Sequence, residues 1–211
     1  MFLNTVIQRS PSTKFLCVII DENLSWKEHI QSVAKTVYSS IPILFKLRYK
    51  FPMRTLTAVY YSFIHSRISY CAVVYGLTYK TAIYPLQIVQ NAAIRCMLAL
   101  PSQESVQSLY PLLNILTVKS QIALCALQLT YKIHRGTLTL KHVNITARVL
   151  TARIRSSSLP QLFIPTPRTN YGVFTFTHYS SEMWNMLPYA LQTATSYSTF
   201  CRELRHWLLH Q

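Results

Sequence analysis

The chain has 211 residues, 50% of them hydrophobic, and sets 21 Lys and Arg against 6 Asp and Glu for a formal net charge of +15. That apolar share excludes a disordered tail, and the length allows one or two domains with a buried core. Three glycines exclude a Gly-rich phosphate loop, and five dispersed cysteines without a C-x-x-C pair exclude a zinc ribbon or knuckle.

In chain order, residues 15–20 form a short apolar run rich in β-branched side chains, which predicts a strand. Asp21-Glu22-Asn23 supplies a turn, and residues 5–8 are the expected partner strand, giving a hairpin near 5–20. Ser25 and Glu28 have the S-x-x-E spacing of a capping box. They predict a helix over 26–40 that Pro42 ends or kinks, with a short resumption over 43–47. Lys46, Arg48 and Lys50 form a basic cluster at the following junction. Pro52 opens a second helix, whose apolar stripe is Leu56, Val59, Tyr60, Phe63 and Ile64.

An apolar, aromatic connector leads to Gly76. A third helix covers about 79–98, with Leu86, Val89, Ala93 and Met97 on one face and Gln90, Asn91 and Arg95 on the other. Residues 29–103 hold eight Lys and Arg and no acid; so do residues 105–181. Folded surfaces normally mix signs, so acid-free spans of this length point to a polyanionic partner, either nucleic acid or an anionic membrane surface. A helix over 118–134 is expected to end at Gly136 in the C′ position. Residues 137–158 are basic and poorly periodic. Residues 162–164 and 173–177 read as strands around a turn-rich loop, predicting a second hairpin near 162–177. Trp184 to Pro188 closes a short helix. A last helix starts near Ser198, with Phe200, Leu204, Trp207 and Leu208 on one side.

The expected fold is mainly α with small β-hairpins (α+β). A hairpin region over 1–24, a helical bundle over 25–100 and a smaller mixed C-terminal region over 101–211 are the expected divisions. The longest stretch free of charged residues and His, 183–201, contains Pro188, Asn185 and Gln192, so no transmembrane segment is expected. No secretory pattern opens the sequence, and the cysteines read as buried reduced thiols, so the expected location is intracellular, nucleus or cytoplasm.

Three blocks carry a family resemblance. Lys14-Phe15-Leu16-Cys17, Ile20-Asp21, Leu24, Trp26 and His29-Ile30 resemble the segment after the catalytic palm of non-LTR (LINE-type, Jockey-like) retrotransposon reverse transcriptases. Tyr70, Val74-Tyr75-Gly76, Leu86, Val89-Gln90-Asn91 and Arg95 match a later element of the same family. Arg168 to Gly172 and Trp184-Asn185-x-Leu187-Pro188 look like the end of its polyproteins. The resemblance implies a fragment of an RNA-directed DNA polymerase, containing the primer-grip hairpin (Lys14, Phe15, Leu16, Cys17), the thumb and the C-terminal region, and it makes the bundle over 25–100 thumb-like. Cys17 stands where the family has Gly, and its Cβ takes space that a primer backbone would approach. The implied partners are an RNA–DNA or DNA duplex and the upstream palm and fingers of the same polyprotein. Lys46, Arg48, Lys50, Arg54 and Arg95 are the candidate phosphate contacts.

The parent family uses Mg²⁺ held by paired palm carboxylates. Asp21 is the only aspartate here, and the [FY]-A-D-D signature is absent, so no catalytic activity, metal site or cofactor is expected of this chain alone. Glu203, His206 and His210 share helical spacing but read as a solvated face. Two alternatives accompany this reading: a basic, non-enzymatic nucleic-acid-binding or membrane-surface module, and a decayed transposon remnant without function.

Overall fold

A computed structural model describes residues 9–141, 143, 145, 146 and 161–211. Two strands, β1 (Ser12–Phe15) and β2 (Val18–Asp21), form an antiparallel hairpin. Helix α1 (Lys27–Leu47) follows, then α2 (Met53–Tyr60), which passes through one π-helical turn (Tyr61–His65) into α3 (Ser66–Ser69). The chain continues through α4 (Ala72–Tyr75), α5 (Lys80–Leu98), α6 (Leu109–Leu112) and α7 (Val118–His134). A 3₁₀ turn (Asn170–Phe174), α8 (Phe176–Asn185), α9 (Tyr189–Gln192) and α10 (Tyr197–Leu209) complete it. The fold is thus mainly helical with one small hairpin among the described residues. No helix among them is long and apolar enough to cross a membrane.

The hairpin departs from the expected one. Residues 15–20 do not run as a single strand. Leu16 and Cys17 both take positive φ, 45° and 63°, so they make a two-residue turn whose twist suits a hairpin. The partner of β2 is therefore Ser12–Phe15, with Phe15 opposite Val18; residues 5–8 lie outside the described residues. Cys17 carries a Cβ in a region that favours glycine. Cys17→Gly is expected to stabilise the hairpin by about 0.5–1 kcal/mol, read as amide exchange across Val18–Asp21 slowed by about two- to fivefold.

The start of α1 is held by Asp21, not by the expected Ser25–Glu28 box. The Asp21 carboxylate accepts from the N–H groups of Ser25 (3.0 Å), Trp26 (2.9 Å) and Asn23 (3.2 Å). Burial works against its charge, but these bonds outweigh it and hold the carboxyl below its ordinary pKa. Ser25 Oγ reaches only the Lys27 N–H, at 3.5 Å. The second lock is His29, which is buried and accepts the Ile19 N–H on Nδ1 at 3.3 Å, while its ring meets Tyr75 edge-on at 4.8 Å.

Burial lowers the His29 pKa, so the neutral ring belongs to the fold. A depressed histidine stabilises fully above its unfolded value of about 6.5, and that contribution is lost as pH falls below it. The Ile19 amide, corrected for intrinsic rate, is therefore expected to lose protection between about pH 7.5 and about pH 5. His29→Asn should flatten that dependence, separating it from His65 and His134, which burial shifts the same way.

Helix α1 does not stop at Pro42. It continues to Leu47, because Ile41 and Leu44 pack into the core and α1 lies along α5. The carbonyl that Pro42 leaves without its helical donor is that of Tyr38, and both residues are exposed, so water can serve it. The prolines of α5 and α6, Pro85 and Pro111, are likewise carried within their helices.

Two apolar clusters organise the packing. The first joins Ile30, Val37 and Leu44 of α1, Leu56 and Tyr60 of α2, Leu86, Ile94 and Met97 of α5, and Val118 and Ile122 of α7. The second joins Leu124, Leu127 and Tyr131 of α7 to Trp184, Leu187, Phe200, Leu204 and Leu208. Helix α7 serves both. It is capped at one end by Thr117, whose Oγ1 accepts the Ser120 N–H, and ended at the other by Gly136 at φ 69°.

The second expected hairpin, near 162–177, is not formed. Val173 and Phe174 lie in the 3₁₀ turn, and Phe176 opens α8. Phe174 packs on Tyr79 with ring centres 4.5 Å apart, and Phe176 and Tyr179 pack on the first cluster. Leu162 is tied instead to Asn185, whose side chain accepts the Leu162 N–H (2.8 Å) and donates to its carbonyl (2.9 Å). Most of 137–158 lies outside the described residues.

Candidate nucleic-acid interface

Helices α1 and α5 run in the same direction. Trp26 and Ile30 face Ala82 and Pro85 at one end, and Ile41 and Arg48 meet Cys96 at the other. The last turn of α1, the junction to α2 and the last turn of α5 therefore share one end of the bundle. That end gathers Lys46, Arg48, Lys50, Arg54 and Arg95. Lys46 and Arg95 also sit where helix dipoles favour cations. Among the described residues none of the five enters an ion pair; the pairs present are Arg9–Glu22 and Arg202–Glu203.

The five differ in freedom. Lys46, Lys50 and Arg54 are exposed. Arg48 is half-buried and built in: its guanidinium donates to Tyr49 Oη (2.8 Å) and the Cys96 carbonyl (3.4 Å), and lies 4.2 Å from the Phe45 ring centre and 4.6 Å from that of Tyr49. Arg95 Nε donates to the Glu104 carbonyl at 2.7 Å. Sequence reasoning treats the five alike; the structure separates three free cations from two that brace backbone.

The hairpin residues Lys14, Phe15, Leu16 and Cys17 are all exposed at the opposite end of α1. Tyr70 holds their turn by donating its hydroxyl to the Leu16 carbonyl at 2.8 Å. From His29 to Arg48 the helix rises about 28 Å, so tip and cation cluster are not one site. At about 3.4 Å per base pair, a duplex would need about eight pairs to reach both.

Many motif residues serve the fold. Gln90 is buried, donating to Tyr60 Oη and the Leu116 carbonyl, both at 2.8 Å, and accepting from Tyr110. Asn91 accepts from Gln87 and Tyr110. Tyr75 is buried, its hydroxyl bonded to the Ile68 carbonyl. Trp184 and Leu187 are core residues.

The neighbouring acids Asp21 and Glu22 are both engaged within the fold. Both Asp21 oxygens are committed to backbone N–H groups, and Glu22 pairs with Arg9 at 2.6 Å. No group of three or more His, Cys, Asp or Glu able to hold a metal occurs among the described residues. Glu203 pairs with Arg202, and the His206 and His210 rings lie 4.7 Å apart, tilted by 56°. Exposed aromatic rings between the cations escaped the sequence reading; the signal was present in Phe45-Lys46-x-Arg48-Tyr49-Lys50-Phe51.

Comparison with protein-family models, curated proteins and solved structures gives no match.

Proposed function

We propose that this chain holds template–primer nucleic acid through phosphate contacts, as the non-catalytic, thumb-like end of a non-LTR retrotransposon polymerase. The observation that carries the reading is the gathering of Lys46, Arg48, Lys50, Arg54 and Arg95 at one end of α1, α2 and α5, without an acidic partner among the described residues. Cations left without carboxylates repel one another and attract a polyanion, and spaced Lys and Arg suit a phosphate backbone. The motif residues support it differently: Asp21, His29, Tyr75, Gly76 and Gln90 fix the helices that present the cations. The family assignment rests on the resemblance of the three blocks.

Chemistry on the nucleic acid is assigned to the palm of the parent polyprotein, with this chain supplying grip. The test is binding of an RNA–DNA hybrid to the purified chain across a salt series, with cation variants at the α1–α2 junction. Absence of salt-dependent binding to the hybrid would overturn the reading.

A further inference from the structure

The cation cluster is interleaved with exposed aromatic rings that phosphate contacts do not explain. Phe45 is 54% exposed, Tyr49 75% and Phe51 46%, and each lies within one or two residues of Lys46, Arg48 or Lys50. Tyr38, 66% exposed, stands seven residues before Phe45, two helical turns away on the same face. Phe45 and Tyr49 flank Arg48 in the chain, and its guanidinium lies against both rings.

We infer that this end of the molecule takes an unpaired strand beside the duplex, stacking its bases on Phe45, Tyr49 and Phe51 while Lys46 and Lys50 hold its phosphates. This rests on the proposed nucleic-acid reading and deepens it. Bases in a duplex stack on one another and offer a ring only at an end. An unpaired strand offers every π-face, and aromatic side chains set along a basic track are how such strands are held. Arg48 lies against both Phe45 and Tyr49, and its hydrogen bonds to Tyr49 and Cys96 limit its own motion. Phe45 and Tyr49 are therefore braced before a base arrives, which lowers the ordering cost of binding. Charge selects among occupants. A protein partner covering this face would bury Lys46 and Lys50, and lysine is depleted at interface cores.

The experiment compares a blunt RNA–DNA hybrid with the same hybrid carrying an unpaired tail of about six nucleotides, within the span one such surface takes. For the wild type, the tail is expected to tighten binding by about 5- to 150-fold per stacked base. The variant Phe45→Ala/Tyr49→Ala/Phe51→Ala should lose that gain and keep its affinity for the blunt hybrid. Phe45→Tyr/Phe51→Tyr retains the rings and the Tyr49 hydroxyl that Arg48 binds and should keep the gain, with circular dichroism confirming that both variants fold.

If the blunt hybrid binds in a salt-dependent way but the tail adds nothing, the stacking inference fails and the phosphate reading stands. Failure to bind either probe overturns both. Equal loss on blunt and tailed hybrids in the alanine variant overturns the inference, because the rings would then serve the duplex or the fold. Wild-type partitioning onto phosphatidylserine–phosphatidylcholine vesicles without a tail effect would overturn it in favour of a membrane surface.

Discussion

Gly76→Ala is expected to destabilise the protein by about 3 kcal/mol, the upper part of the range for overpacking, or by about 6–12 °C in Tm for a chain of this size. A Cβ at Gly76 would lie 2.3 Å from the Ala72 carbonyl oxygen and 2.8 Å from Cδ1 and Cγ1 of Ile122. The first contact is with backbone of the same short helix, and the Gly76 N–H already binds that oxygen at 2.9 Å. Relief by moving the carbonyl would therefore break the bond that ends α4. The second contact is with α7, in the centre of the first core. Backbone conformation is not the reason for glycine here, since φ is −80° and any residue adopts it. The clash is one of space. Ile122→Ala removes the second contact and leaves the first. The double variant should thus be more stable than the sum of the singles predicts, by about 1 kcal/mol, and thermal melts of the four proteins measure that coupling. Simple additivity would mean that α4 and α7 do not press on each other at Gly76.

The elements that local chemistry dictates were legible in the sequence. Helix α7 runs over the residues its pattern predicts, because Thr117 and Gly136 mark its ends locally; the distant side chain of Gln87 adds only one bond, accepting the Val118 N–H at 3.1 Å. The pattern predicts helix over 26–40 and again over 43–47, with an end or kink at Pro42 because proline is locally unfavourable. The packing of Ile41 and Leu44 that carries α1 through Pro42 is a tertiary effect that no window of sequence contains. The turn at Leu16-Cys17 was missed because neither residue advertises positive φ. Val173 to Thr177 alternates like a strand, yet five residues cannot distinguish a strand from a turn of helix whose aromatics reach Tyr79 and the first core. For the candidate interface, the cations were legible as a cluster in the chain. Arg95 is distant from them in the chain and is named with them through the family resemblance; the parallel course of α1 and α5 is what brings it to the same end. The bracing role of Arg48 required the carbonyl of Cys96, 48 residues away.

The wild-type chain is expected to bind an RNA–DNA hybrid with log affinity falling linearly with log salt, at a slope of about −4 to −5. Five phosphate contacts at about 0.9 released counterions each give that value, by analogy with B-form duplex. Between about 50 and about 200 mM salt, affinity should then fall by about 500-fold. Lys46→Ala/Arg48→Ala/Lys50→Ala leaves two contacts and a slope near −2, so the same salt change should cost only about 12-fold. Because Arg48 also braces Phe45 and Tyr49, Lys46→Ala/Lys50→Ala is the cleaner variant. It should reduce the slope by about 2 with Phe45 and Tyr49 still held by Arg48. Lys119→Ala/Lys132→Ala/Lys141→Ala carries the same charge loss as the first triple variant and lies outside the α1–α2 junction. Its slope should match the wild type. Fluorescence anisotropy over the salt series reads all four proteins. Equal weakening by both triple variants would mean that net charge alone drives association and that the α1–α2 junction holds no defined site. An unchanged slope in every variant would mean that Lys46, Arg48 and Lys50 make no phosphate contacts, and the proposed grip at the α1–α2 junction would be refuted.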